Sequence, residues 1–150
     1  MSGPGPGAGL GELRPAPAGL PDAVLAPPVI AESGDPFTAL RVVSLIARIP
    51  RGAPVPVADI VAMLNATHLD WLFGERVVAD AILQLATNWA ADYRSTAGIV
   101  LDDGARGPTV TVEDSTRVDP WIVRQAERLA AECRSVLLDF SRRERTTGRD

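Results

Sequence analysis

The sequence predicts a mainly α-helical fold with one small β-hairpin, and three patterns predict it. Val78, Ile82, Leu85, Trp89 and Tyr93 step by 4, 3, 4 and 4, and Ile122, Ala126, Leu129, Cys133, Val136 and Phe140 step by 4, 3, 4, 3 and 4. Both are apolar stripes at helical spacing. Between them Thr109, Val110, Thr111, Val112 and Glu113 alternate at the strand period of two.

Residues 1–34 open on Gly-Pro alternation, continue through Pro15, Pro17, Pro21, Pro27 and Pro28, and carry neither period. Such a composition cannot bury enough apolar surface to offset chain ordering, so a disordered or polyproline-like arm is expected. Its one apolar run, residues 24–30, is a candidate partner-binding peptide.

Order is expected from Asp35-Pro36. The aspartate can accept from the first free amides of a helix, and the proline pre-sets φ at the first helical position. A helix over 36–49 buries Phe37, Leu40, Val43, Ile46 and Ala47, and Pro50, Gly52 and Pro54 end it. Val55 begins a brief extended piece, since Pro56 restricts the residue before it. A second helix covers 57–65, with Val57, Ile60, Val61 and Leu64 on one face and Asn65 at its end. The connection 66–74 holds Leu69, Trp71, Leu72 and Phe73, which favour packing down over hanging free. The third helix, Glu75 to Tyr93, carries the first stripe. Ile99, Val100 and Leu101 then form one strand, 102–108 a turn-rich loop, and 109–113 the return strand, with Val110 and Val112 facing in. Asp119-Pro120 repeats the helix-start signature and opens a long C-terminal helix over 119–145, followed by a tail at 146–150. The expected organisation is therefore an arm at 1–34, a domain at 35–118, and the C-terminal helix and tail.

This order of helix, short extended piece, helix, connection, longer helix and hairpin resembles a winged-helix (winged helix-turn-helix) domain over 35–117, by element order. The resemblance implies a helix-turn-helix pair of 57–65 and 75–93, a wing at 102–108, and DNA binding in transcription regulation as one possible activity. On that reading Arg76, Gln84 and Asn88 of the third helix, Arg94, Arg106 and Arg117 around the hairpin, and Arg142, Arg143 and Arg145 at the C-terminal end are the candidate DNA-binding residues. Two features oppose it. The connection 66–74 exceeds the turn of 3–4 residues that sets a reading helix in the major groove, and Asp80 and Asp92 would face the phosphates. Charge agrees: the chain is net −4, residues 35–118 hold seven arginines against ten carboxylates, and residues 119–150 seven against six.

The leading expectation is a non-catalytic interaction module that binds a protein partner or forms a homodimer through the C-terminal helix, with Trp121, Ile122, Leu129, Val136 and Phe140 as candidate interface. One histidine, His68, and one cysteine, Cys133, cannot assemble a His/Cys metal set. Nucleophile elbows, phosphate loops and dinucleotide fingerprints are missing, so no catalytic, cofactor or metal residue is assigned and no cofactor is expected. Asp102 and Asp103 read as turn residues, and Cys133, on the stripe, as an inert buried thiol. No apolar run reaches the length of a bilayer span, and a cytoplasmic protein without a membrane partner is expected.

Overall fold

The structure, a computed structural model, describes residues 27–96, 98–114 and 116–148; these are 59% helix and 15% strand, which makes the class mainly α with a small sheet. The expected arm at 1–26 lies outside the described residues. Residues 27–34, expected to belong to it, are a correction. β1 (Val29–Ile30) joins the domain, and Ala31 behind it is buried.

α1 (Pro36–Ile46) starts as its sequence requires: the Asp35 carboxylate accepts from the Phe37 amide, with Pro36 in the first turn. It stops three residues before the expected end. Arg48 and Ile49 donate back only three residues, to Leu45 and Ile46, because Pro50 disfavours helical geometry at Ile49. β2 (Val55–Pro56) and α2 (Val57–Thr67) follow. β3 (Trp71–Leu72) interrupts the 66–74 connection and pairs in parallel with β1, Val29 opposite Trp71 and Ile30 opposite Leu72. α3 (Glu75–Tyr93) has the expected bounds. β4 (Ile99–Gly104) and β5 (Gly107–Val112) form the hairpin, longer than expected. The 102–108 loop contracts to a two-residue turn of Ala105 and Arg106, closed by Gly107 at φ +101°. β2 pairs with β5, giving an antiparallel sheet in the order β2-β5-β4. Its edge position lets Pro56 occupy a strand without costing a ladder bond.

α4 (Val118–Gly148) runs 31 residues and takes in most of the expected tail. Val78, Ile82, Leu85 and Trp89 of α3 meet Val42, Val43 and Ile46 of α1, Ile60 and Leu64 of α2, Val110 and Val112 of β5, and Val118, Trp121, Ile122 and Leu129 of α4 in one core. Arg51, after α1, pairs with Asp119 at the start of α4, while Asp35 and Pro36 share a cleft with Leu129 and Glu132. The two helices are thus antiparallel. Among the described residues no helix is long and apolar enough to cross a membrane.

An aromatic junction fixes the start of α4 on the end of α3. The Trp89 and Trp121 rings meet edge-on at 5.6 Å, and Tyr93 lies 4.3 Å from Trp89. The Trp121 indole N–H donates to the Asp92 carboxylate, and Arg124 donates to the Tyr93 hydroxyl at 2.6 Å. Gly98 closes the junction at φ +122°, where a Cβ would stand 2.3 Å from Trp89 Cε2. No L side chain adopts that backbone cheaply, and the fully packed indole cannot retreat. Gly98→Ala should therefore lower stability by about 2–4 kcal/mol, read as a shifted urea midpoint; a midpoint equal to wild type would contradict this packing.

Candidate functional site

Two surfaces stand out, and they adjoin. The first is the distal part of α4. The apolar stripe is continuous in sequence from Ile122 to Phe140, but only its first half is covered: Trp121, Ile122, Leu129 and Cys133 are buried, whereas Val136 is 46% and Phe140 59% exposed, with Leu137 and Leu138 exposed beside them. Three of the five residues expected at an interface, Trp121, Ile122 and Leu129, are therefore committed to the core; Val136 and Phe140 remain available. Trp121 has the least freedom of the three, being fully buried with its N–H bonded.

The second surface is a cleft of about 450 Å³ where the β1–α1 loop, α3 and α4 meet. Leu85, Leu129, Val77 and Ala81 line it, and Glu32, Asp35, Asp80 and Glu132 bring four carboxylates to it, against one base, Arg128. Arg128 is itself paired with Glu132 at 2.6 Å, and Asp80 accepts from the Ser33 hydroxyl at 2.9 Å. Sequence reasoning did not find this site. Asp35 reads locally only as a helix cap and Asp80 only as a solvated helix residue; no local pattern announces that three remote segments converge.

The expected DNA-binding residues do not form one surface. Gln84 and Asn88 line the acidic cleft and bond to each other at 3.2 Å. Arg76 is exposed on α3, but the helical spacing places Asp80, Leu83 and Thr87 along the same side, all three exposed, and the Thr87 hydroxyl is returned to the Leu83 carbonyl. Arg94 caps α3 in a left-handed conformation, φ 51°. Arg106 is exposed at the hairpin turn. Arg117 lies over the Tyr93 ring at 5.5 Å, and Arg142 pairs with Asp139 at 3.6 Å. Arg143 and Arg145 are exposed near the end of α4.

α2 runs two residues past its expected end, so the connection is residues 68–74, and it is built on two polar clamps. Both backbone groups of Phe73 are met by one side chain: its amide donates to Asn65 Oδ1 at 2.9 Å, and Asn65 Nδ2 donates to its carbonyl at 3.1 Å. Arg41 of α1 donates from Nε to His68 Nδ1 at 3.2 Å, pairs with Asp70 at 3.6 Å, and stacks 4.5 Å from the Trp71 ring centre. Trp71 is thus half-buried structure and not a free anchor. Burial, and then the Arg41 charge, hold the His68 imidazole below its ordinary pKa, with Asp70 opposing. Cys133 is buried against α1, and its thiol is pushed up from the usual value, first by burial and then by Asp35. A thiol held protonated is a poor nucleophile. Among the described residues no group of three or more His, Cys, Asp or Glu side chains is placed to hold a metal ion.

No family model, curated protein or solved structure matches the chain.

The His68 clamp generates a pH test with a definite sign. The unfolded chain takes up a proton near the ordinary imidazole value of 6.5, whereas folded His68 takes it up only at lower pH. Its contribution to stability is therefore fully present above that value and is lost as pH falls below it. Urea midpoints should decline from about pH 7 to about pH 5.5, and His68→Gln should flatten that interval. An unchanged slope in the variant would show that the clamp is indifferent to protonation.

Proposed function

We propose that this chain is a non-catalytic, winged-helix-like interaction module that self-associates through the distal half of α4. One observation carries the reading: Val136, Leu137 and Phe140 continue the core stripe of α4 past the point where α1 covers it, and they lie open to solvent. An apolar stripe in that position is a docking surface for another apolar surface. The winged-helix part of the reading is supported by the order of α1, β2, α2, α3, β4 and β5 and by the sheet order β2-β5-β4.

Magnitude limits the stripe. Three half-exposed side chains from each copy would contribute about 1 kcal/mol apiece when covered, roughly 6 kcal/mol in all, against an association cost of about 4–15 kcal/mol. The stripe alone makes a weak dimer, so a second contact is needed.

Sedimentation equilibrium of the full chain should give twice the monomer mass at micromolar concentration. Val136→Glu combined with Phe140→Glu should return it to monomer mass with an unchanged circular dichroism spectrum. A wild-type chain that stays monomeric to about 100 µM, weaker than any useful self-association, would overturn the reading.

A second reading, a DNA-binding regulator, is favoured by the exposed Arg106 at the hairpin turn. The acidic and apolar side chains along the open side of α3 oppose it. Fluorescence anisotropy with duplex DNA at low salt separates the two. The interaction module gives no signal, whereas a regulator gives binding that weakens steeply with salt and on Arg106→Ala.

A further inference from the structure

We infer that β4 is the receptor for an extended peptide segment of a partner protein, which adds beside it as a fourth strand and seats aliphatic side chains against α3. This surface is separate from the α4 stripe, and the inference does not depend on self-association.

The backbone supplies the first argument. In the sheet order β2-β5-β4, β4 is an edge. The Glu113 amide donates to the Gly98 carbonyl at 2.6 Å, and the Thr109 hydroxyl donates to the Asp102 carbonyl at 3.3 Å. The alternation of an antiparallel ladder therefore turns the peptide groups of Val100 and Asp102 towards β5 and those of Ile99, Leu101 and Asp103 towards the open side. Donors and acceptors repeating every two residues are matched by another extended backbone and not by a helix.

The side chains beside that edge supply the second. A groove of about 250 Å³ runs between Leu83, Ala86, Thr87 and Ala90 of α3 and Ile99 and Leu101 of β4. None of these side chains is charged, and Leu83 is 53% exposed. Directly opposed residues of an antiparallel pair share a face of the sheet. Incoming residues opposite Ile99 and Leu101 therefore project into the groove, where aliphatic side chains fit its lining.

Charge sets the other end of the segment. Asp102 and Asp103 continue the same strand, both are exposed, and among the described residues no base, Arg106 at the turn included, pairs with either carboxylate. Basic residues opposite them gain cross-strand pairs that neutral or acidic ones do not. Read antiparallel to β4, the segment that fits is two bases, an aliphatic residue, a residue facing away, and a second aliphatic residue.

A second copy of this chain fits less well. α3 packs on β4, and Ile99 is committed to its own core. Two β4 strands joined about a two-fold axis at the sheet spacing of about 4.8 Å would bring two α3 helices closer than the roughly 8–10 Å that packed helices need. An extended segment from a partner brings no helix with it.

The test uses the full chain and a fluorescein-labelled, capped peptide Lys-Arg-Val-Thr-Val. Fluorescence anisotropy should give a Kd of about 100 µM or tighter. N-methylation of the first valine, opposite Leu101, removes a donor to the edge and should abolish binding. N-methylation of the threonine, whose N–H points away, should change it less than about threefold. Leu83→Arg should weaken binding about tenfold by placing a charge in the groove. Asp102→Arg with Asp103→Arg should do the same, and a peptide with glutamates in place of its two bases should recover that loss. In hydrogen exchange the Leu101 and Asp103 amides should be open in the free chain and slowed about tenfold by the peptide. Val136→Glu with Phe140→Glu should bind the peptide as wild type does, so that failure of this inference and failure of the α4 reading are seen separately. No binding up to about 1 mM, or the same effect from both N-methylations, would overturn the inference. So would protection of those two amides in the free chain, which would assign the edge to residues 1–26 or to a second copy.

Discussion

The packing of α4 along α1 is the contact on which the rest of this molecule depends, and its governing feature is a mismatch of length. At 1.5 Å per residue the 11 residues of α1 extend about 16 Å and the 31 residues of α4 about 46 Å. The apolar stripe of α4 is longer than the surface α1 can offer, so some of it must lie open. Which part lies open is decided at the other end. Trp121, wedged edge-on against Trp89 and bonded to Asp92, pins the start of α4 to α3, and Arg51 pairs with Asp119 beside it. With the beginning fixed, the excess falls wholly at the C-terminal end. Truncating a buried indole of this kind costs about 3–5 kcal/mol, far more than the exposed stripe costs, so the anchor wins.

Where the fold was legible in the sequence, the signal was local and periodic. The 19 residues of α3 follow from a single uninterrupted stripe with Glu75 ahead of it, and the Asp-Pro pair at 35–36 located the start of α1. The hairpin was recognised but drawn too short, because Asp102, Asp103 and Gly104 favour turns in isolation; paired with Thr109, Pro108 and Gly107 they lie in a strand. What the sequence withheld depends on contacts between distant segments. Nothing in residues 27–34 distinguishes β1 from the proline-rich stretch before it, since its order comes from bonds to Asp70 and Leu72. The sequence reads Trp121 as an anchor for a partner because its acceptor, Asp92, lies 29 residues away. The four carboxylates of the cleft are scattered from 32 to 132, and only the meeting of the β1–α1 loop, α3 and α4 collects them.

The long connection between α2 and α3 illustrates how irregular backbone can be made firm without regular hydrogen bonding. Residues 68–74 exceed a tight turn, yet side chains brace them: Asn65 serves both backbone groups of Phe73, and Arg41 meets His68, Asp70 and the face of Trp71 together. Phe37, Trp71, Phe73 and His68 then follow ring to ring with centres 6.1–6.3 Å apart, Trp71 stacked on Phe73, Phe37 tilted against Trp71 and His68 edge-on to Phe73. A guanidinium is planar and cationic, so the one on Arg41 can hold an imidazole, a carboxylate and an indole; a lysine has no such plane.

The strand β1 is attached in a different manner. Val29 and Ile30 leave their side chains 54% and 71% exposed, and what fastens them is the backbone: the Val29 amide to the Asp70 carbonyl and the Ala31 amide to the Leu72 carbonyl, at 2.8 and 2.9 Å. Bonds of this sort contribute about 1 kcal/mol each, so the strand can peel away at a small fraction of the energy needed to unfold the core. Because peptide groups do the fastening, the side chains at 29 and 30 are interchangeable with others of similar bulk. Proline at 29 would not be, since it would remove the Val29 amide's bond to Asp70 outright.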